Sequence, residues 1–349
     1  MSSSPSSAPP HKRSKTHSGP PVAASSVLSQ QEADAQSRIL LEPYLYLTQN
    51  RGKEIRTKLI NAFDLWLKVP SDKLRLIAEI IEMLHTASLL IDDVEDGSDL
   101  RRGIPVAHKV FGIASTINSG NYVYFLALQK ALALQIPAVV DIFAAELINL
   151  HTGQGMEIYW RDNNICPTEA EYLQMISNKT GGLLRLAVKM MQAASEVTFN
   201  CVPLVDLLGL HFQIRDDYLN LTSNEFTNNK GFAEDLSEGK FSYPVIRHIQ
   251  ATHAKTQPPL TPQHQLTISQ ITDPGSRQLF QILKQRTTDV DLKKYAITTL
   301  KPALQAMKHE LRKLEDDARA EIGRLGGNAA LEKILAYLGE AYSDHETIV

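Results

Sequence analysis

Apolar positions recur at helical spacing through most of the chain, and no stretch alternates with the period of two expected of a half-buried strand. Between Lys73 and Asp96, the side chains of Leu74, Ile77, Ile81, Leu84 and Ile91 fall at helical spacing. Thr168 opens another helix, since Pro167 precedes it and Glu171 completes a capping box. Pro203 starts a third, carrying Leu204, Leu207, Leu208 and Ile214. Residues 253–276 hold Pro258, Pro259, Pro262 and Pro274 and read mostly as a loop. Helical patterning then returns, with Pro302 as a break or kink. Gly326-Gly327 ends the helix that holds Leu311 and Leu314. No internal repeat interrupts the pattern. These elements predict one all-α domain of roughly ten or more helices.

Residues 1–30 differ. Ser, Pro and Ala dominate, and large apolar side chains are few. Such a segment cannot offset its own ordering entropy, so a disordered tail is expected ahead of a domain spanning 31–349. The group His11-Lys12-Arg13-Ser14-Lys15 reads as solvated charge or as a localisation signal. The 349 residues are 43% hydrophobic, enough for a substantial core, and the net charge of -3 supplies no global field for nucleic acid. Cys166 and Cys201 make neither a metal-ligand pattern nor a disulfide framework, which suits a reducing compartment. No apolar run has the length of a membrane span and no signal core opens the chain, so a cytoplasmic protein is expected.

Chemistry concentrates in two acidic clusters. The first is Asp92-Asp93-Val94-Glu95-Asp96, at the end of an apolar helix. Residues three or four apart on a helix are neighbours, so Asp92 stacks on Asp96 and Asp93 lies beside Asp96. Like charges at that spacing repel unless a cation lies between them, and Mg²⁺ prefers such hard oxygen ligands. His85 precedes Asp92 by seven residues and faces within roughly 20° of it. Arg101 and Arg102 follow just beyond Gly97. A solvated acidic helix end is the plainer account of this cluster alone; an EF-hand is disfavoured, since the acids do not alternate as its loop requires.

The second cluster is harder to explain as surface. Gln213, Asp216, Asp217 and Asn220 fall at i, i+3, i+4 and i+7, one polar stripe of short acids and amides on an otherwise apolar helix. Lys230 and Lys240 follow downstream. Lys53 and Arg56 stand three apart after Gly52, and Lys179-Thr180 precedes Gly181-Gly182. The glycines would allow close backbone approach to a ligand, although a plain helix terminus accounts for them equally. Gly153-Gln154-Gly155 is not a dinucleotide fingerprint, because no strand precedes it and the third glycine is missing.

At this level of detail the chain resembles the trans-prenyl diphosphate synthases, and most closely the geranylgeranyl diphosphate synthases of animals and fungi. The similar segments run in order from about residue 38 to 345. They include Leu40-Leu41-Glu42-Pro43-Tyr44, Gly52-Lys53 to Arg56, Met83-Leu84-His85 through Asp96 to Arg101-Arg102-Gly103, and Asn121-Tyr122-Val123-Tyr124-Phe125. Gly153-Gln154-Gly155 to Trp160-Arg161-Asp162, Lys179-Thr180-Gly181-Gly182, Phe212-Gln213-Ile214-Arg215-Asp216-Asp217 and Glu234-Asp235-Leu236 to Lys240 complete the set. The resemblance implies an isoprenoid-synthase-type helical bundle around a deep central cavity. It implies that Asp92 and Asp96, supported by Asp93, and Asp216 hold Mg²⁺, with three ions when substrate is bound. Arg101, Lys179, Thr180, Gln213, Lys230 and Lys240 match positions that hold the allylic diphosphate. Lys53, Arg56, His85 and Arg102 match those that bind isopentenyl diphosphate. Many members of the family end the second motif with Asp, where this chain has Asn220, which leaves direct metal ligation there open.

The implied reaction is head-to-tail condensation of isopentenyl diphosphate with dimethylallyl, geranyl or farnesyl diphosphate. No protein nucleophile is needed, and no Ser/His/Asp or Cys/His constellation calls for one. Ala87 and Ser88, five and four residues before Asp92, leave the path of a growing chain open where an aromatic would block it, so a C20 product is expected. Three other readings stay open: farnesyl diphosphate synthase, a class I terpene cyclase, and a non-catalytic synthase-like subunit. The family also implies a homodimer or larger homo-oligomer.

Overall fold

The computed structural model describes residues 30–50, 52, 55–198, 200–223, 231–256 and 264–342. Lys53, Lys230, the basic group at 11–15 and all of the expected disordered tail but Gln30 therefore lie outside the described residues. The chain divides into two units, Met1–Ile39 and Leu40–Val349. In the first unit lies most of α1 (Gln30–Leu40).

The second unit is helical almost throughout. It comprises α2 (Glu42–Thr48), α3 (Ile55–Leu67), α4 (Ser71–Asp96), α5 (Ala107–Phe111), α6 (Ile113–Ala133), α7 (Ala138–Asn163) and α8 (Glu169–Ala194). After these come α9 (Val202–Thr222), α10 (Glu234–Glu238), α11 (Tyr243–Thr256), α12 (Pro274–Gln285), α13 (Val290–Arg324) and α14 (Ala329–Gly339). The chain is all-α, as the periodicity predicts. One element breaks the pattern, a hairpin of β1 (Leu100–Arg101) and β2 (Ile104–Pro105). Its two-residue turn places both Arg102 and Gly103 at positive φ, 55° and 78°, the backbone that tight hairpins require. Strands this short carry no readable alternation.

Helix boundaries follow local chemistry. The Thr168 hydroxyl accepts the Glu171 amide while the Glu171 carboxylate accepts the Thr168 amide, closing the predicted capping box of α8. Pro203 occupies the first turn of α9. Gly97 ends α4 in the left-handed region. Pro302 does not break its helix; α13 runs from Val290 to Arg324 through it. Leu300, Ala303 and Leu304, fully or nearly fully buried, anchor that stretch on both sides of the proline, and packing outweighs the one hydrogen bond that proline removes. The expected loop over 253–276 is shorter, since α11 extends to Thr256 and α12 begins at Pro274.

Packing places the site. Helix α7 lies on α8, α8 on α9, α4 on α6 and α8, and α13 on α9. Two apolar clusters result. One takes Leu84 from α4, Leu150 from α7, Leu183 to Met191 from α8, and Leu204 to Leu208 from α9. The other takes Trp160 from α7, Tyr172 to Ile176 from α8, and Ile214 to Leu221 from α9, with α11 to α13. On each of α7, α8 and α9 a polar segment separates the two apolar ones: Gln154 and Glu157, Lys179 and Thr180, Gln213. Lys179, Thr180 and Gln213 sit at this seam. Among the described residues no helix is long and apolar enough to cross a membrane.

Candidate active site

The first acidic row is enclosed by four donor residues from three elements, β1, α7 and α8. Arg101 is buried, and its Nε donates to Asp93 Oδ1 at 2.8 Å while its Nη2 reaches Asp92 Oδ2 at 3.2 Å. From α7, Gln154 Nε2 donates to Asp92 Oδ1 at 3.2 Å and to Glu95 Oε2 at 2.8 Å. One turn and more further along, Arg161 Nη1 donates to Asp96 Oδ1 at 2.6 Å. From α8, Lys179 Nζ lies 3.2 Å from Asp92 Oδ1. Burial, then the charges of Asp92 and Glu238, pushes the Asp96 carboxyl well above the usual range. Negative charge is in excess here.

Lys179 and Lys240 meet on one carboxylate that the sequence reading did not single out. Lys179 donates to Glu157 Oε2, and Lys240 Nζ lies 3.0 Å from Glu157 Oε1. Burial alone would raise the Glu157 carboxyl, but Lys179 and then Lys240 outweigh it and hold it below the ordinary range. Burial opposes the charge on both lysines as well, and the surrounding acids overcome it, Asp92 first for Lys179 and Glu157 first for Lys240. Gly239, at φ 73°, ends α10 and lets the Lys240 amide bond back to the Asp235 carbonyl.

The second acidic row divides its work. Asp217 is buried and holds three elements together: Gln213 Nε2 donates to Oδ1 at 2.9 Å, and the Tyr243 amide at 2.7 Å and the Tyr172 hydroxyl donate to Oδ2. Thr180 Oγ1 in turn donates to Gln213 Oε1 at 2.6 Å, so Thr180 and Gln213 are joined to each other. Asn220 Oδ1 accepts the Asp235 amide at 3.2 Å and is buried. Asp216 is the half-buried member. Arg215 Nη1 lies 3.6 Å from its Oδ1, and its charge is felt at Arg56.

Arg56 and His85 form a pair across α3 and α4, with Arg56 Nη1 2.9 Å from His85 Nε2. Burial, followed by the charges of Arg56 and Arg102, keeps His85 neutral well below its usual range, so its Nε2 acts as acceptor. Burial also lowers Arg56 to about 10, against the opposing pull of Asp216. Arg102, in the hairpin turn, donates from Nη1 to the Asn50 carbonyl at 2.6 Å. Ala87 has no exposed surface, and Ser88 is half-buried with its hydroxyl on the His85 carbonyl at 2.8 Å.

Gln154, Glu157 and Arg161, the residues the sequence reading left unassigned, stand at i, i+3 and i+7 of α7. A polar stripe at that spacing was visible, masked by the glycines on either side of Gln154. Beside it an apolar cleft of about 600 Å³ opens between α6 and α7, lined by Tyr124, Phe125, Leu128, Phe143, Leu147 and His151 among others. Tyr124 lines this cleft, and its hydroxyl is raised by burial, then by the charges of Glu95 and Asp92.

Buried cations facing two acidic rows, with an apolar cleft leading away, define an all-α protein suited to ligands with an anionic head and a hydrocarbon remainder. The polyprenyl synthetase family model matches residues 37–300, and the chain belongs to that family. It is 52% identical to a geranylgeranyl pyrophosphate synthase of Mucor circinelloides f. lusitanicus over 85% of this chain and 92% of the relative. It is 49% identical to a terpene synthase of Matsumurasca onukii, over 85% and 91%. Against geranylgeranyl pyrophosphate synthase spyE of Aspergillus fumigatus the figures are 47% identity, 93% and 86%.

Proposed function

We propose that the chain is a geranylgeranyl diphosphate synthase, a prenyltransferase that adds isopentenyl diphosphate to allylic diphosphates until a C20 product forms. The observation that carries this reading is the convergence of Asp92, Lys179, Glu157 and Lys240 at the seam between two apolar clusters. The Arg56–His85 pair supplies a second anion site.

Lys179, Lys240 and Arg101 would take the allylic diphosphate, with Lys230 and the Thr180–Gln213 pair. Arg56, His85 and Arg102, with Lys53, would take isopentenyl diphosphate. The barrier lies in separating charge as the allylic carbon–oxygen bond breaks. Fixed cations aimed at the departing diphosphate lower it most, because they need no reorganisation during the reaction. The isopentenyl double bond attacks the cation, and the proton then lost passes to the released pyrophosphate. His85 is spent on Arg56 and Glu157 on two lysines, which makes neither a ready base. Water must be excluded, or the cation would be quenched.

Mg²⁺ suits the acidic rows. Asp92, Asp96 and Asp216 offer hard carboxylate oxygens, and the raised Asp96 carboxyl marks charge that a divalent cation would relieve. Among the described residues no three His, Cys, Asp or Glu side chains close into a cage. Mg²⁺ is commonly held by one or two carboxylates and completed by substrate phosphates. When bound, the metal would neutralise the leaving diphosphate.

Self-association belongs to this reading. Phe125 and Ile148 are 71% and 66% exposed beside the cleft, with Ile117 and Leu132 on α6 and Tyr159 on α7, and a second copy of the chain would cover them. Both cysteines are free and buried, in keeping with a cytoplasmic enzyme.

The test is one incubation series. Labelled isopentenyl diphosphate is supplied with each starter in turn, with Mg²⁺ or a chelator, and dephosphorylated products are separated by chromatography. Label in a C20 alcohol, abolished by the chelator, is expected. The terpene synthase relative favours a second reading, cyclisation, in which an allylic diphosphate is consumed and isopentenyl diphosphate is not; that outcome removes the synthase assignment.

A further inference from the structure

Glu157 belongs to neither acidic motif, yet Lys179 and Lys240, the site lysines among the described residues, converge on it. Lys179 comes from the middle of α8 and Lys240 from the residue after Gly239. No local structure brings them together. One carboxylate does, with one oxygen for each ammonium, and its side chain is only 9% exposed.

Each ammonium carries three donors. Lys179 has one on Glu157 and lies within reach of Asp92 Oδ1 at 3.2 Å. Two half-buried ammonium groups without a counter-charge between them would repel and turn apart. A single negative charge between them cancels half of theirs and fixes both beside the first acidic row, with Lys179 Nζ 3.2 Å from Asp92 Oδ1. A purely architectural carboxylate would be expected on cations remote from the ligand. Here both cations are those placed at the allylic diphosphate.

We propose that Glu157 is a resident stand-in for the substrate diphosphate, a positioning residue that holds Lys179 and Lys240 in the substrate-free site and yields part of their hydrogen bonding when the diphosphate arrives. This deepens, and rests on, the prenyl diphosphate synthase assignment above. A diphosphate has more charge and more acceptor oxygens than a carboxylate, so it wins the shared donors. Glu157 keeps the lysines where charge develops on the leaving group.

Two effects of Glu157→Gln follow, and they oppose each other. Removing the competing anion spares ground-state binding, whereas removing the fixed geometry slows ionisation. Turnover should fall by about a hundredfold, the scale for losing one preorganised electrostatic contact. Calorimetric affinity for inorganic pyrophosphate, and for an unreactive thiolodiphosphate analogue of the starter, should stay within about threefold of wild type or tighten, since uniform binding is untouched. Lys240→Gln removes a donor to the ligand itself and should weaken the same affinities by about tenfold or more. Glu157→Asp keeps both acceptors and should restore turnover to within about tenfold of wild type.

A parallel loss of affinity and turnover in Glu157→Gln overturns the proposal, as does unchanged turnover. If that variant does not fold, the same pair of measurements on Glu157→Asp decides: turnover reduced with affinity kept supports the stand-in, and both reduced together rejects it. Failure of the wild type to consume isopentenyl diphosphate is a different result, and it removes the functional assignment instead.

Discussion

Gly153 lies directly against the backbone of Lys179: a Cβ at Gly153 would stand 2.6 Å from the Lys179 amide nitrogen and 2.8 Å from the Met175 carbonyl oxygen. Neither atom can yield without moving α8. The missing side chain therefore sets the spacing of α7 and α8, and with it the reach from Glu157 to Lys179.

Gly153→Ala should strain that crossing. Overpacking of this kind costs about 1–3 kcal/mol, read as a lower thermal midpoint. A displacement of Lys179 approaching 1 Å should cost about a hundredfold in turnover. Gly155 is the internal control, since nothing lies within 4 Å of a Cβ there. Gly155→Ala should gain about 0.5–1 kcal/mol from helix propensity. Equal effects at the two glycines would refute the close-approach role.

The Tyr172 hydroxyl donates to Asp217, and both residues are buried. In Tyr172→Phe, Asp217 keeps the Tyr243 amide and Gln213 as donors but loses one partner in a dry setting. A loss of about 1–3 kcal/mol is expected, measured by denaturant unfolding at pH 7. Because both Asp217 oxygens are engaged by Gln213, Tyr243 and Tyr172, KM for both substrates should hold. A rise in KM without loss of stability would assign Asp217 to the substrate side.

The helical architecture was legible because helices carry their own signals: the Thr168–Glu171 box and Pro203 sit where the structure starts α8 and α9. The hairpin at Arg101–Arg102 was not, since two-residue strands have no period to detect. Sequence spacing grouped Gln213, Asp216, Asp217 and Asn220 on one stripe, but it could not divide them. Only long-range partners do that: the Tyr172 hydroxyl and Tyr243 amide on Asp217, and the Asp235 amide on Asn220. Glu157 was missed for the same reason. Its lysines are 22 and 83 residues away along the chain, and tertiary packing alone unites them.

His211 gives the fold a dependence on pH separate from the acidic side chains themselves. It is fully buried, with Nε2 2.8 Å from the Tyr342 hydroxyl, which donates to Glu315. Burial lowers its pKa to about 4, with Arg215 acting in the same direction and Glu315 against. Between the unfolded value near 6.5 and that folded value, the unfolded chain binds a proton that the native chain refuses. Stability should therefore fall as pH drops through this window, by about 1.4 kcal/mol per unit. Urea unfolding of wild type and His211→Asn at pH 7.5, 6 and 5 measures it. The substitution lowers stability at every pH but should flatten the slope; equal slopes would exclude His211 as the source.

Product length tests the hydrocarbon side of the site. Ala87 lies one turn before the first acidic row and has no exposed surface, and its carbonyl stands 3.5 Å from where a Cβ on Gly120 of α6 would be. Small residues thus let α4 and α6 pack closely beside the ligand. A phenyl ring at this position must project into whatever space the growing chain uses or push α6 away. We expect Ala87→Phe to shift the main product from C20 toward C15, with a stability loss of about 1–3 kcal/mol from overpacking. Chromatography of dephosphorylated products reads the first effect and thermal unfolding the second. Undiminished C20 output from a folded variant would place the hydrocarbon elsewhere, with the cleft lined by Tyr124, Leu128 and His151 as the next candidate.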